Sequence, residues 1–211
     1  MKVVILAGGF GTRLSEYTDN IPKPMVPIGK LPIIHHIMNI YSFYGHKDFY
    51  IALGYKGDII KKYFNKKIND WNVNLIDTGP NTLTGGRVKR LEKFLKNETF
   101  FLTYGDGVSD INLDTLLKFH KSHGKTLTIS AVRPPARFGS LSLDGSEIVE
   151  FKEKVQLKNN WINGGFFVVE PKFLKYLKND TTVLEQEPLK QIVLEKDIKA
   201  FTHEGFWQCM D

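Results

Sequence analysis

Apolar positions along this chain fall into short runs separated by stretches of helical period. Residues 2–7 (KVVILA) are apolar and β-branched and stop at glycine, the pattern of a buried strand. Residues 32–45 carry one apolar stripe of Ile33, Ile34, Ile37, Met38 and Tyr41, which predicts a helix. Pro32 suits its first turn and Gly45 its stop. The same reading predicts strands at 48–53, 71–77, 99–104 and 127–132, and helices at 57–64, 85–95 and 113–123. Strands alternating with helices at this spacing imply βαβ units, hence a mostly parallel sheet with helices on both faces. After about residue 133 the pattern changes. "GSLSLDGSEIVEFKEK" predicts short antiparallel strands around Asp144–Gly145. Then come a strand at 161–170, helices in "PKFLKYL" and "QEPLKQIVLE", and a strand in "IKAFTH". No linker, repeat or low-complexity tract divides the chain. The prediction is one α/β domain over 1–211, with a nucleotide-binding half at 1–132 and a second-substrate half at 133–211.

Composition narrows the partners. No apolar stretch of the 211 residues approaches the roughly 20 that a membrane helix needs. The apolar run at 3–7 meets glycines too soon for a signal peptide. A single cysteine, Cys209, permits no internal disulfide, and a reducing cytoplasm is the simplest home. The net charge of +6 suits an anionic partner. Its lysines are spread over helix faces, without interleaved aromatics, zinc-finger spacing or an RNP-type motif. A small phosphorylated ligand therefore fits better than nucleic acid, and no membrane partner is expected.

The chemistry concentrates after the first strand, in "LAGGFGTRL". Glycines following a strand let backbone approach phosphate oxygens at the carboxyl edge of a sheet, and Arg13 offers a planar fork of donors. The dinucleotide fingerprint fails, because its last glycine would fall on Leu14. Walker A fails at Gly29–Lys30, where Leu31 follows and Pro24 replaces the first glycine. Lys23 sits between two prolines in "IPKPM", a stiff bracket for a charge that stabilises phosphoryl transfer, although an isolated surface lysine reads the same way. Asp106 in "YGDG" follows a strand between glycines, where a carboxylate holds Mg²⁺ or caps a turn. Asp110 fits such a cap.

Together, "LAGGFGTRL", "IPKPMVPIG", "YGDG", "EFKEK", "INGGFFVV" and "FWQCMD" resemble, in order, the motifs of the sugar-1-phosphate nucleotidyltransferase family. "GYKGDIIKKYF", "TGGRVKR" and "EQEPL" are most similar to its branch that cytidylylates glucose 1-phosphate. The resemblance implies a Rossmann-like mixed sheet, mostly parallel, of the nucleotidyltransferase and glycosyltransferase-A-like type. It implies an enzyme that joins CTP to a sugar 1-phosphate and releases pyrophosphate with Mg²⁺. Carried over by position, Leu6, Ala7, Gly8 and Gly9 meet base and ribose, and Gly11, Thr12 and Arg13 the triphosphate. Lys23 lies near the α-phosphate, Thr82 and Arg87 around the cytosine nucleotide, and Gly105 beside the metal ligand. Asp106 and Asp211 hold the metal. Gly139, Glu153, Lys154, Asn163 and Gly164 meet the sugar phosphate. Lys23, Arg13 and Asp106 carry the catalytic roles, and a homo-oligomer is compatible with the family.

Three departures stand out. "NKKIND" connects residues 64 and 71 where the cytidylyl branch has a longer segment that shapes subunit contacts. Val155 follows Glu153–Lys154 where the family has proline, and Cys209 replaces a proline. The chain also stops at Asp211, where the family continues with helical sequence; a boundary, or a shortened form with weakened metal binding, accounts for that. Other readings are another NTP, another sugar- or polyol-phosphate acceptor, or a nucleotide-binding subunit without turnover. His35 and His36 cannot share one helix face, and His120 and His123 are expected on a helix surface. Phe166 and Phe167 are expected in the core and Cys209 in a structural role, while Trp161 and Trp207 fit either a pocket wall or packing, the commoner use of a lone aromatic.

Overall fold

The computed structural model describes residues 1–12, 18–134, 139–153 and 160–210. Its strands in chain order are β1 (Lys2–Leu6), β2 (Pro27–Ile28), β3 (Leu31–Pro32), β4 (Asp48–Leu53), β5 (Asn72–Asp77), β6 (Phe100–Tyr104) and β7 (Gly107–Ser109). They continue with β8 (Leu127–Val132), β9 (Ser140–Asp144), β10 (Glu147–Lys152), β11 (Ile162–Val169), β12 (Ile198–His203) and β13 (Trp207–Cys209). The α-helices are α1 (Ile33–Phe43), α2 (Gly57–Tyr63), α3 (Thr84–Arg90), α4 (Glu92–Leu95), α5 (Leu113–His123) and α6 (Glu187–Leu194). Lys23–Met25 and Pro171–Tyr176 form 3-10 turns.

A seven-stranded sheet runs in the order β12-β8-β11-β6-β1-β4-β5. β1 is parallel to β4 and β6, β4 to β5, and β8 to β12, while β11 enters antiparallel to both β6 and β8. The mixed, mostly parallel sheet is thus the one expected. β11 and β12 lie in it with β1, so the two halves of the chain share one sheet. From β1 the chain steps outward through β4 to β5, then α3 and α4 return it to β6 on the far side of β1. That reversal opens a crevice beyond the carboxyl ends of β1 and β6, where open α/β sheets take ligands.

Both faces of the sheet are covered. Val3 and Ile5 of β1 pack with Ile33, Ile37, Met38 and Tyr41 of α1, whereas Val4 and Leu6 pack on the other side with Val88, Leu91 and Leu95. Alternation along β1 is therefore real but invisible as polarity, because both faces are apolar. Phe166 and Phe167 are buried, as expected. No helix among the described residues is long and apolar enough to cross a membrane.

Four features differ from the sequence-based expectation. The helix expected over 85–95 breaks at Leu91, whose N–H bonds to the Val88 carbonyl one residue nearer than an α-helix allows (3.0 Å), which keeps Leu91 and Leu95 in the core. "PKFLKYL" is a 3-10 turn that buries Phe173, Leu174 and Tyr176. His120 is not on a surface but 2% exposed, its ring nitrogens at 2.7 Å from Thr128 Oγ1 and 3.1 Å from Glu170 Oε1. The pairs β2–β3 and β7–β13 went unforeseen, being too short to show a period.

Burial lowers His35, His46 and His123 below the ordinary histidine value of 6.5. Protonation of each is then easier in the unfolded chain. The stability they contribute is present above pH 6.5 and lost as pH falls through their lowered values. The melting temperature is expected to decline between pH 7.5 and pH 5, before the carboxylates titrate. A flat profile across that range in a thermal scan contradicts this account.

Candidate active site

A cleft of about 580 Å³ opens at the crevice and is lined by β1, the glycine loop, β6 and the segment before α3. Leu6, Ala7, Gly8, Gly9, Gly11 and Thr12 form one wall. The loop leaves β1 between two neighbouring strands: Ala7 N–H donates to the Ala52 carbonyl, and Gly105 N–H to the Leu6 carbonyl, both at 3.0 Å. Gly11 has φ +67, and a Cβ there would lie 2.7 Å from Thr18 Cγ2, so only glycine fits. Gly9 differs, because a Cβ would meet nothing within 4 Å. Packing among the described residues does not demand that glycine.

Gly8 is a glycine for a third reason, which the sequence concealed. The Arg87 guanidinium lies against it, and a Cβ on Gly8 would fall 2.2 Å from Arg87 Nη1. The residue is 4% exposed. Its Nη1 donates to the Leu53 and Gly79 carbonyls and Thr78 Oγ1 (3.0, 2.8 and 2.6 Å), and its Nη2 to the Gly8 and Pro80 carbonyls (2.8 and 3.2 Å). Burial leads in lowering its pKa below the ordinary arginine value. Gly54 fits the same knot: a Cβ there would be 2.3 Å from Nη1 and 2.6 Å from the Gly8 carbonyl. Arg87 lines the cleft, but these donors are spent on backbone.

Tyr55 and Lys56 brace the loop from outside. Tyr55 N–H donates to the Gly8 carbonyl (3.1 Å), its ring meets Phe10 at 5.2 Å, and its hydroxyl donates to the Thr18 carbonyl (3.2 Å). Lys56 holds a left-handed backbone, φ 49, and its ammonium donates to the Thr18 and Asp19 carbonyls.

Lys23 sits in the one-turn 3-10 helix that its two prolines predispose, and is 8% exposed. Its ammonium donates to Asp106 Oδ2 at 2.8 Å. A lysine from one loop and a carboxylate from just beyond β6, 83 residues away, thus meet at the cleft. β7 and β13 pair with Cys209 opposite Gly107, and Met210 N–H donates to the Asp106 carbonyl at 2.8 Å, so the chain's last stretch runs alongside Asp106.

Thr82, Gly105 and Asn163 also line the cleft. Gly139, Glu153 and Gly164 do not: Gly139 packs on Phe151 and Glu153 of the β9–β10 hairpin, and the Gly164 carbonyl accepts from Trp207 Nε1 at 2.7 Å. Arg13, Lys154 and Asp211 lie outside the described residues. Sequence reasoning overlooked Tyr104, Thr84 and Glu185 in the lining and treated Cys209 as structural, whereas Trp207 takes the pocket-wall position that was one of its two readings. The motifs "TGGR" and "EQEPL" held the signal, since they adjoin the residues singled out.

Replacing Gly54 by alanine is expected to destabilise the protein by about 2–3 kcal/mol, the cost of overpacking a close contact. Urea unfolding checks it, and a change under about 0.5 kcal/mol contradicts the knot.

Comparison with known proteins agrees with this geometry. Residues 2–207 match the model of the Nucleotidyl transferase family. The chain is 46% identical to a glucose-1-phosphate cytidylyltransferase of Salmonella typhi, over 100% of this chain and 91% of the relative. It is 40% identical to a probable glucose-1-phosphate cytidylyltransferase of Bacillus subtilis, with the same coverage. The Salmonella alignment spans 234 positions against 211 residues here, so the relative carries insertions that this chain lacks. The crystal structure of HddC from Yersinia pseudotuberculosis complexed with GMP-PN superposes with a TM-score of 0.74 at 29% identity, covering 99% of this chain and 92% of that one. With a glycine loop, a bracketed lysine and a strand-end aspartate converging on one crevice, the chain belongs to the nucleotidyl transferase family.

Proposed function

We propose that this chain joins CTP to glucose 1-phosphate, giving CDP-glucose and pyrophosphate. The observation that carries the reading is the Lys23–Asp106 pair in the cleft beside the glycine loop. The names of the two cytidylyltransferase relatives support the choice of substrates. A new bond joins a phosphate oxygen of the sugar phosphate to the α-phosphorus of CTP. The bond from that phosphorus to the oxygen bridging to the β-phosphate breaks, and pyrophosphate leaves with its electron pair. The attacking oxygen is already anionic, so no general base is needed. What the site must do is bring two polyanions together, screen their repulsion and stabilise the charge that builds up.

The residues divide that work. Leu6 to Gly9 take base and ribose, and Gly11, Thr12 and Arg13 the triphosphate. Lys23, held in place by Asp106 before any ligand arrives, meets the α-phosphate. Thr82 and Gly105 border the nucleotide, and Arg87 acts through the backbone it holds. Asn163 takes the acceptor at the cleft wall, and Gly139, Glu153, Lys154 and Gly164 are assigned to it on the family resemblance alone.

Mg²⁺ fits these residues. Among the described residues no group of three or more His, Cys, Asp or Glu makes a metal site by itself, whereas Asp106 puts one carboxylate beside the loop. One or two carboxylates completed by substrate phosphates are what Mg²⁺ accepts. Asp106 and Asp211 would hold it, and it would neutralise phosphate charge.

Pyrophosphate release with Mg²⁺, glucose 1-phosphate and each nucleotide in turn is expected to favour CTP strongly. Equal rates with all nucleotides contradict the base assignment, and an acceptor panel tests the sugar. Lys23→Ala and Asp106→Ala are each expected to lower kcat/KM by about a hundredfold or more, as for loss of a transition-state charge partner. Near-normal turnover in both variants removes the mechanism.

A further inference from the structure

We propose that Glu185 and Tyr104 are positioning residues for the acceptor: with Asn163 they form a hydrogen-bond relay that holds the Asn163 amide in one orientation at the cleft wall. The inference rests on the reading of Asn163 as a sugar contact.

The relay starts at Glu185, one end of a tie between two walls. Its Oε2 accepts from Thr84 Oγ1 at 2.7 Å, and its Oε1 from the Tyr104 hydroxyl at 2.6 Å. The Tyr104 phenol is held protonated, since burial first, and the Glu185 charge next, raise its pKa well above the ordinary phenol value. Its one proton is committed to a carboxylate that can only accept. The phenol oxygen is therefore an acceptor toward its other neighbour, Asn163, at 3.1 Å. The atom of Asn163 facing it must be the nitrogen. A second constraint agrees: Gly165 N–H, 2.8 Å from the other side of the same amide, requires an oxygen there. Two independent partners thus exclude the flipped amide. Nδ2 keeps one further N–H, and Oδ1 one further lone pair. A donor and an acceptor on one rigid group match a sugar hydroxyl, which both gives and takes a hydrogen bond.

The surrounding chain serves this arrangement. β11 slips register between Asn163 and Phe167, the irregularity that re-aims a side chain next to a site. Gly165 at φ +79 makes the slip, and a Cβ there would fall 2.7 Å from the Tyr104 ring. Glu185 is delivered by close packing on α3. A Cβ on Gly85 would lie 2.8 Å from Thr182, one on Gly86 2.5 Å from the Asp180 carbonyl, and Arg90 grips Asp180 through two bonds of 2.8 and 2.6 Å.

The test is steady-state kinetics of pyrophosphate release, with KM measured separately for CTP and glucose 1-phosphate. Tyr104→Phe keeps the ring and removes the hydroxyl. It is expected to raise KM for the sugar phosphate about five- to tenfold, the value of one net hydrogen bond, with KM for CTP within about twofold. Glu185→Ala is expected to do the same, and the double variant no more than the larger single effect, since both act through Asn163. Glu185→Gln, whose amide oxygen still accepts from Tyr104, is expected to restore KM to within about twofold of wild type. Unchanged sugar KM in Tyr104→Phe, an equal rise for CTP, or additive losses overturn the relay while wild-type turnover upholds the proposed reaction. A wild-type protein silent with every nucleotide and sugar phosphate overturns the reaction, and the relay with it.

Discussion

The site depends on one buried cation. Arg87 brings a charge into the interior where no described carboxylate bonds to it, and the charge is tolerated because carbonyl dipoles surround it. Those carbonyls come from three places: the loop after β1, the end of β4 and the turn after β5. The guanidinium therefore ties three strand ends together, reinforcing the bonds of Tyr55 N–H to the Gly8 carbonyl and of Thr78 Oγ1 to the Leu53 carbonyl. Its geometry requires Gly8 and Gly54 to lack a Cβ. A glycine loop that looks as if it were shaped for a ligand alone is shaped in part for an arginine beneath it.

Above that knot the electrostatics are simple. The cleft offers the ends of a mostly parallel sheet, a lysine in a proline-braced turn paired with Asp106, and a second described carboxylate, Glu185. Lys23 and Asp106 pair with each other at the cleft. Two phosphorylated substrates need fixed positive charge more than they need acid–base groups. The site is accordingly poor in histidine: the ordered histidine contacts lie elsewhere, His35 with Tyr63 and His120 with Thr128 and Glu170. On the reading proposed above, Asn163 of the antiparallel strand β11 brings neutral groups to acceptor recognition, next to that strand's irregular register.

Much of this was legible in the chain. The strand at 2–7, the helices at 32–45 and 113–123 and the hairpin about Asp144–Gly145 came out within a residue or two, because buried strands and one-sided helices leave strong periods. The site motifs were legible because phosphate chemistry demands glycine, lysine and aspartate next to strand ends. Less legible were elements whose reason is non-local. Leu91 interrupts a helix only because the core beneath requires it. His120 looks like surface until β8 and Glu170 are set against it. Glu185 and Tyr104 lie 81 residues apart and carry no local pattern that joins them.

The sequence by itself determined the alternation of strands and helices, the parallel sheet and the set of charged and glycine positions that marks phosphate chemistry, since these follow from short-range periodicity and residue type. Only the tertiary structure decided which glycines packing demands, that the donors of Arg87 bind backbone carbonyls and Thr78, and that a carboxylate from the segment before α6 meets the tyrosine that holds an amide on β11. Those outcomes depend on which groups meet across a buried interface, where a hydrogen bond left unmade costs more than any local preference can supply.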